Sequence, residues 1–263
     1  MDTRSYADLA LSLLVIVVFA FVAWRLETVT GPAAGVMVLM AMAILYVGGW
    51  HWLLPIVAFF GTSVALTRLP LEGREPHKPR DAWQVLANGG LATVGVLLAA
   101  IDTFEWRLVD ALAFYGGAIA AATADTWATE IGTRLGGLPR DVINGNTLRK
   151  GESGGITGIG TLAAAAGALM IGLIAVTIPP DRPDDWVALG HVTLAGWLGA
   201  MVDSFLGSAV QTHYRCRICG VETESPTHCE TDAAPRRGFL SNNQVNWACT
   251  AVGALAAWAF VKW

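Results

Sequence analysis

Residues 155–178 read GITGIGTLAAAAGALMIGLIAVTI, a stretch without a charged side chain. A helix that crosses a bilayer needs roughly 20 predominantly apolar residues, and this stretch is long enough. Similar runs recur along the 263-residue chain, of which 54% is hydrophobic and only 14% is charged. Soluble domains carry roughly 25% charged residues. The pattern therefore favours a membrane protein over a soluble protein with a large core.

About eight such runs, within a range of seven to nine, predict an all-α polytopic transmembrane helical bundle that forms a single domain over residues 1–263. The first run is interpreted as a retained helix rather than a signal peptide, because acidic residues precede it and no small-residue cleavage site follows. The predicted spans are Leu9–Trp24, Ala33–Gly48, Trp52–Thr67, Trp83–Ile101, Asp110–Ile131, Gly155–Ile178, Val187–Gln211 and Val245–Val261.

The basic residues predict the orientation of the bundle. Of the 17 Lys and Arg residues, thirteen fall after spans one, three, five and seven, and four fall on the opposite side. By the positive-inside rule, the loops at Arg74, Arg140 and Arg217 are cytoplasmic and both termini are not. We therefore expect a plasma or inner membrane protein whose motif-bearing side is cytoplasmic. A net charge of -4 argues against nucleic-acid binding.

Charged and amide side chains enter two of the spans near their predicted cytoplasmic ends. Such groups are costly in lipid, so they usually face a site or a water-filled cavity. At span four, Arg80, Gln84 and Asn88 are spaced i, i+4, i+8 and share one helical stripe; the alternative is a polar edge at the membrane surface. At span five, Asp125 is preferred over Glu130 as a ligand, because Thr129 shares its face, and one of the carboxylates could instead be structural.

The last two spans add a further acid and several amides. Span seven carries Gly199, Asp203, Gly207 and Gln211 at intervals of four residues. Its glycines are typical of a packing stripe, whereas the buried acid is most simply explained by a bound cation. At span eight, Asn243 and Asn246 share a face, and Asn242 could alternatively cap the helix.

The loop before span six, residues 144–160, reads NGNTLRKGESGGITGIG. Its glycines permit close backbone approach, and the amides that open the next helix could bind an anion beside Arg149 and Lys150. Ser153, Gly154 and Gly155 are thus candidate substrate-binding residues. Carboxylates near phosphate donors predict a Mg²⁺-bound phosphate substrate, and the membrane location predicts that one substrate is amphiphilic.

The predicted cytoplasmic loop 212–242, here called the Cys/His loop, contains Cys216 and Cys219 in C-x2-C spacing, followed by His228 and Cys229. This pattern predicts a structural Zn²⁺ site. One alternative is a set of reduced surface thiols without a metal, and another places His213 as the fourth ligand instead of His228.

Five motifs, taken in this order, resemble the DUF92 integral-membrane family, which includes the plant phytyl-phosphate kinase and the transmembrane protein 19 group. They are QVLANG, ADTWATEIG, GESGGITGIGT, DSFLGSAVQ and NNQVN, and they cover the chain from about Arg80 to Asn246. The family usually has Thr-Ser-Gly-Gly where this chain has Glu152-Ser153-Gly154-Gly155, and often Ser at the position of Thr129.

The resemblance implies phosphoryl transfer from CTP to an isoprenoid monophosphate of phytyl or geranylgeranyl type, which yields the diphosphate. In that reaction Asp125 and Asp203 would hold Mg²⁺, with Asn243 nearby, while Arg80, Arg149 and Lys150 would offset developing charge. Two alternatives stay open at this point. One is a transporter or binding protein for a phosphorylated lipid or small anion, and the other is a cytidylyltransferase that makes a CDP-lipid.

Overall fold

Apolar helices make up most of the chain in the computed structural model, which describes residues 6–70, 78–101, 107–178, 186–224 and 226–262. Within these ranges, six helices are long and apolar enough to cross a membrane, and two further helices contain the shorter apolar stretches Ala10–Arg25 and Ala82–Leu98. The prediction of an all-α membrane bundle is confirmed; the number of spans and their orientation stay predictions. The helices are α1 (Tyr6–Arg25), α2 (Gly31–Gly48), α3 (Leu53–Arg68), α4 (Ala82–Leu98), α5 (Leu108–Leu135), α6 (Gly158–Ala175), α7 (Trp186–Ala209) and α8 (Asn242–Lys262).

Helix α5 is the centre of the bundle and contacts α3, α4, α6, α7 and α8. Its residues 110–124 are almost entirely small or apolar and buried. A Cβ atom added at Gly117 would lie 2.2 Å from the backbone oxygen of Gly253 in α8. The two backbones therefore touch, which is the close approach that small residues permit in membrane helices.

An ion-pair group joins the start of α5 to the end of α8. Asp110 is fully buried, and its carboxylate lies 3.1 Å from Nε of Arg107 and 2.9 Å from Nζ of Lys262. A buried carboxylate without such partners would be strongly destabilising. These ion pairs therefore hold the start of α5 and the end of α8 together at one end of the bundle.

The loops that follow α1, α3 and α5 meet at one end of the bundle. The amide of Thr30 donates to the Arg80 carbonyl at 2.9 Å, and the amide of Arg80 donates to the Thr28 carbonyl at 3.0 Å. Arg134 in the last turn of α5 donates to the Leu69 carbonyl at 2.8 Å. These contacts place three of the predicted cytoplasmic loops together, although Arg74 lies outside the described residues.

The helix boundaries lie within a few residues of the predicted ones, and two of the differences have a clear local cause. Span six was expected to begin at Gly155, but α6 begins at Gly158, because Gly155–Ile156 forms strand β2 against β1 (Arg140–Asp141). Thr157 then caps α6 by accepting the amide of Gly160 at 2.9 Å. The β-pairing holds the preceding residues in an extended conformation, so the helix cannot start earlier.

Span eight was expected to begin at Val245, but α8 begins at Asn242. The alternative role of Asn242 as a helix cap is wrong. Ser241 and Gln244 instead form a reciprocal pair, in which the Ser241 amide donates to Oε1 of Gln244 at 2.8 Å and the Gln244 amide donates to the Ser241 hydroxyl at 3.4 Å. This pair satisfies the amides that α8 leaves open at its start.

Short strands organise the Cys/His loop between α7 and α8. The strands are β3 (His213–Arg215), β4 (Glu222–Thr223), β5 (Thr227–His228), β6 (Thr231–Asp232) and β7 (Ala234–Arg237). Strand β3 pairs with both β4 and β7, and β5 pairs with β6 in a second hairpin. The Thr212 amide donates to the Leu240 carbonyl at 2.8 Å, so the loop closes on itself where it leaves the bundle.

Candidate active site

A polar cavity of about 630 Å³ lies where the loops meet the ends of α4, α5, α7 and α8. This volume falls within the range of about 300–1,000 Å³ that is usual for small-molecule sites. Most of the residues predicted from the sequence line it. They are Arg80, Gln84, Asn88, Asp125, Thr129, Glu130, Lys150, Ser153, Gly154, Gly155, Asp203, Asn243 and Asn246.

Two acids from different helices meet at this cavity. A Cβ atom added at Gly199 of α7 would lie 2.6 Å from Cβ of Ala121 in α5. Four residues further along each helix are Asp203 and Asp125, whose carboxyl groups are in hydrogen-bonding contact. The glycine stripe in α7 therefore packs, as expected, and in packing it brings the two acids together.

Within the described residues, one oxygen of this acid pair has no hydrogen-bond partner. Oδ2 of Asp203 is buried and accepts no hydrogen bond within the described part of the chain. Glu224 of the Cys/His loop also lines the cavity, and its charge acts on Asp203. Three acids near one another with an unpaired buried oxygen fit a divalent cation, because carboxylate oxygens are the ligands that Mg²⁺ prefers. Asp125 and Asp203 are therefore the residues that could hold Mg²⁺.

Amide side chains line the walls beside these acids. Gln84 and Asn88 face the cavity from α4, and Asn243 and Asn246 face it from the first turns of α8. The Asn88 side-chain nitrogen donates to the Gln84 backbone carbonyl at 3.0 Å. Amides of this kind both donate and accept, so they suit the ring and sugar groups of a nucleotide or the oxygens of a phosphate.

Glu130 lines the cavity but is engaged within the protein. It is 5% exposed, accepts from the Thr67 hydroxyl at 3.0 Å, and pairs with Nη1 of Arg134 at 2.5 Å. Arg80 adds an attractive charge interaction with the same carboxylate. Glu130 thus holds α3, α5 and the start of α4 together, whereas Asp125 keeps its carboxylate on the cavity side.

Basic side chains stand on the cavity wall as well. Arg80 is half-buried, and its guanidinium lies 5.8 Å from the ring centre of Phe60. Its backbone is fixed between the α1–α2 loop and α4 by the two hydrogen bonds already described. Lys150 projects from the Gly-rich loop and is exposed. A fixed arginine and a long, flexible lysine together suit the binding of an anionic group that must enter and leave.

Asp141 organises the Gly-rich loop. Its Oδ1 accepts from the amides of Ile143 at 2.9 Å and Asn144 at 3.1 Å, and both oxygens accept from the Ser208 hydroxyl in α7. Burial acts to raise the pKa of Asp141, but these hydrogen bonds, together with the Arg237 charge, hold it below its ordinary value. The loop is therefore tied to the helix that carries Asp203.

Gly154 allows the loop to touch α7. Its φ is +82°, and an added Cβ would lie 2.5 Å from Cβ of Ser208. Only glycine adopts this backbone conformation at so short a distance without strain. The predicted close approach of the loop backbone is thus directed at α7 itself.

Two of the three candidate substrate-binding residues of the Gly-rich loop, Ser153 and Gly155, have amides that donate within the protein. The Ser153 amide donates to Oε1 of Glu224 at 2.8 Å, and the Glu152 and Gly155 amides donate to loop carbonyls at 3.2 Å. The loop thus binds a carboxylate, Glu224, at the position where a phosphate was expected. Glu152, which departs from the family pattern, is turned towards Arg149 and Arg237, with nitrogen–oxygen distances of 3.6 and 3.9 Å.

Two predicted residues lie outside the cavity wall. Arg149 is exposed and faces a shallow outer depression with Arg215 and Arg236. Gln211 is buried behind the wall, where its side-chain nitrogen donates to Oγ of Ser153 at 2.8 Å and to Oε2 of Glu224 at 2.9 Å. Gln211 therefore positions cavity residues instead of lining the cavity itself.

Sequence reasoning missed Glu224, Asp141 and Ser208. Glu224 lies 71 residues after its partner Ser153, and nothing in the local pattern around it indicates that contact. Asp141 could have been found, because it precedes an Asn-Gly turn where Asp side chains commonly accept backbone amides.

Comparisons with known proteins agree with this architecture. The model of the family described as integral membrane protein DUF92 matches residues 14–254. An uncharacterised membrane protein of Methanocaldococcus jannaschii is 31% identical over 221 residues, which cover 82% of this chain and 79% of that protein. Protein PGR of Arabidopsis thaliana is 30% identical over 284 aligned positions, which cover 94% of each chain. No solved structure matches significantly. The chain therefore belongs to the DUF92 family of integral membrane proteins.

Proposed function

We propose that this protein is a membrane-embedded, Mg²⁺-dependent kinase that transfers the γ-phosphoryl group of CTP to an isoprenoid monophosphate. The observation that carries the proposal is the meeting of Asp125 and Asp203 with Arg80 and Lys150 in one cavity at the loop end of the bundle. Acids that hold a metal ion and cations that neutralise phosphate are the two parts that phosphoryl transfer requires, because catalysis of this reaction is mainly positioning and charge stabilisation.

The reaction requires little else from the protein. A phosphate oxygen of the isoprenoid monophosphate forms a bond to the γ-phosphorus of CTP, the bond from that phosphorus to the β–γ bridging oxygen breaks, and CDP leaves. The attacking oxygen is already anionic, so no strong general base is needed. Mg²⁺, when held by Asp125 and Asp203, would neutralise charge on the phosphate oxygens.

Each group of side chains then has a defined task. Arg80 and Lys150 bind phosphate and offset the charge that develops on transfer. Asn243, Asn246, Gln84 and Asn88 hydrogen-bond the nucleotide and the acceptor phosphate. The amino end of α6, where Thr157 and Gly160 line the cavity, favours the binding of an anion.

The position of the cavity supports an amphiphilic acceptor. The cavity is lined by residues of membrane-length helices together with residues of the polar loops. An isoprenoid chain could therefore remain among the helices or lipid tails while its phosphate reaches the acids. A phosphorylated acceptor without an apolar chain would gain none of this burial, which is worth about 0.8 kcal/mol per CH₂.

Product identification tests the proposal. The purified full chain in detergent, supplied with Mg²⁺ and CTP, is incubated in parallel with geranylgeranyl phosphate, phytyl phosphate and phosphatidate, and the lipid extracts are analysed by mass spectrometry. We expect isoprenoid diphosphate together with CDP. A CDP-lipid would assign the chain to the cytidylyltransferases instead. Unchanged substrates that bind and cross proteoliposome membranes would assign it to the transporters.

A further inference from the structure

The Cys/His loop brings four potential metal ligands together. Within the described part of the chain, one ligand atom each of Cys216, Cys219, His228 and Cys229 lies within 4.8 Å of the others. The alternative ligand His213 is not among them; its Nε2 lies 3.4 Å from Nη2 of Arg237. None of the cysteines is in a disulfide.

The distances within the group fit a tetrahedral zinc ion. With Zn–S near 2.3 Å and Zn–N near 2.0 Å, a tetrahedron places two sulfurs about 3.8 Å apart and a sulfur and a nitrogen about 3.6 Å apart. The Cys219 and Cys229 sulfurs are separated by 3.8 Å. Nδ1 of His228 lies 3.5 Å from the Cys219 sulfur and 3.2 Å from the Cys229 sulfur.

The backbone around the first two ligands, Cys216 and Cys219, forms a tight turn. The Ile218 amide donates to the Cys216 sulfur at 3.4 Å, and the Gly220 amide donates to the Cys216 carbonyl at 3.1 Å. Gly220 has φ +71°, which closes the turn. A sulfur that accepts backbone amides in this way is arranged to act as a thiolate ligand.

The second pair lies at a strained turn. Cys229 and Glu230 connect β5 to β6 with φ values of 50° and 58°. Two consecutive positive φ values are usual for Asn-Gly and similar pairs, and they are unfavourable for Cys and Glu. The turn directs the side chains of the adjacent residues His228 and Cys229 to the same point, and a bound metal would offset the strain.

The two ligand pairs flank Glu224, which lies between β4 and β5. Glu224 reaches the cavity, where its two oxygens accept from the Ser153 amide and from Gln211. So short a segment cannot build an apolar core that would fix this side chain. We propose that Cys216, Cys219, His228 and Cys229 bind a structural Zn²⁺ ion, which holds Glu224 against the Gly-rich loop and beside Asp203.

Zinc content is the first test. The full chain, purified in detergent without added metal, should contain close to one zinc per chain by elemental analysis. Cys216→Ser and Cys229→Ser should lose it, while Cys249→Ala, a change at a buried cysteine of α8 outside the group, should retain it. Wild-type protein with no more zinc than the Cys216→Ser variant would overturn the proposal.

Thiol labelling tests the site in wild-type protein, so it does not depend on the folding of a variant. Cys219 and Cys229 are exposed and would react at once with a maleimide if they were free. We expect protection that a zinc chelator removes and a reductant does not. Immediate labelling, or protection that only a reductant removes, would contradict a metal site.

The link to Glu224 is tested by comparing the Tm of wild type and Glu224→Ala, each with zinc bound and after treatment with a chelator. Glu224→Ala should lower the Tm of the zinc-loaded protein. In chelator-treated protein the decrease should be less than half as large, because Glu224 is then no longer held in place. Equal decreases in both forms would show that zinc does not position Glu224. Since none of these measurements involves CTP or an isoprenoid, they stand or fall separately from the proposed kinase activity.

Discussion

The acid pair predicts that the substitution Asp203→Asn changes the response of the protein's Tm to Mg²⁺. Asp203 contacts Asp125 and has a buried oxygen without a hydrogen-bond partner among the residues that the structure describes. If the pair binds Mg²⁺, the metal should raise the Tm of wild-type protein, and the variant should lose that response. Because the substitution removes a charge from a pair of like groups, the metal-free variant should be at least as stable as metal-free wild type.

The magnitude follows from the contact between the two acids. Two unit charges about 4 Å apart would repel by about 4 kcal/mol at an effective dielectric constant near 20, and a proton shared by the two carboxyl groups relieves part of this in the metal-free protein, so this repulsion is an upper bound for what the cation offsets. Mg²⁺ at about 100 times its Kd stabilises the native state by about 2.7 kcal/mol. For a chain of this size, that corresponds to an increase in Tm of roughly 5–10 °C. Turnover of the variant should fall by about 10²–10³-fold, as when one preorganised charge is removed from an active site.

Differential scanning fluorimetry of purified wild-type and variant proteins with and without Mg²⁺ measures the effect. Asp110→Asn is the matched control, because Asp110 is a buried acid of α5, the helix that carries Asp125, and lies at the opposite end of the bundle. Asp110→Asn should lower the Tm, because the variant loses the ion pairs with Arg107 and Lys262. The increase in Tm on addition of Mg²⁺ should remain. A full Mg²⁺ response in Asp203→Asn, or its loss in Asp110→Asn, would refute the reasoning.

Three further predictions concern the packing and the loop. Gly154→Ala should lower the Tm more than Gly137→Ala. Both glycines have a positive φ, but only the Cβ added at position 154 would lie 2.5 Å from a side chain of α7. Overpacking of this kind costs about 1–3 kcal/mol. Gly117→Val should reduce the yield of folded protein in size-exclusion chromatography, since its Cβ would lie 2.2 Å from a backbone oxygen of α8. Asp141→Asn should be less stable than wild type at pH 7. Because the folded-state pKa of Asp141 is depressed below 3.8, its contribution is lost as the pH falls through that folded value, so the two Tm values should converge in acid.

The sequence was sufficient to predict the helices and the acid pair, because both depend on strong local signals. An apolar run of about 20 residues can scarcely be anything but a membrane or core helix. An acid within such a run, as at Asp125 and Asp203, requires a partner or a ligand. The spacing of the Cys and His residues likewise predicted the group in the Cys/His loop, whose ligand atoms the structure brings together.

The parts that could not be predicted depend on contacts between distant segments. Ser153 was expected to bind substrate, but its amide donates to Glu224, and only the folded Cys/His loop brings Glu224 near it. Arg149 and Lys150 are adjacent in sequence, yet only Lys150 lines the cavity, while Arg149 lines the outer depression. Local periodicity carries no information on either outcome.

The position of the label after incubation with radioactive CTP tests the central claim most directly. Purified protein in liposomes with geranylgeranyl phosphate and Mg²⁺ receives CTP labelled at either the γ- or the α-phosphorus, and the lipid fraction is counted. Transfer of the γ-phosphoryl group predicts a labelled lipid from γ-labelled CTP alone, with the signal lost in Asp203→Asn. Label in the lipid from α-labelled CTP, or no lipid label from either nucleotide with any isoprenoid monophosphate, would contradict the proposed kinase.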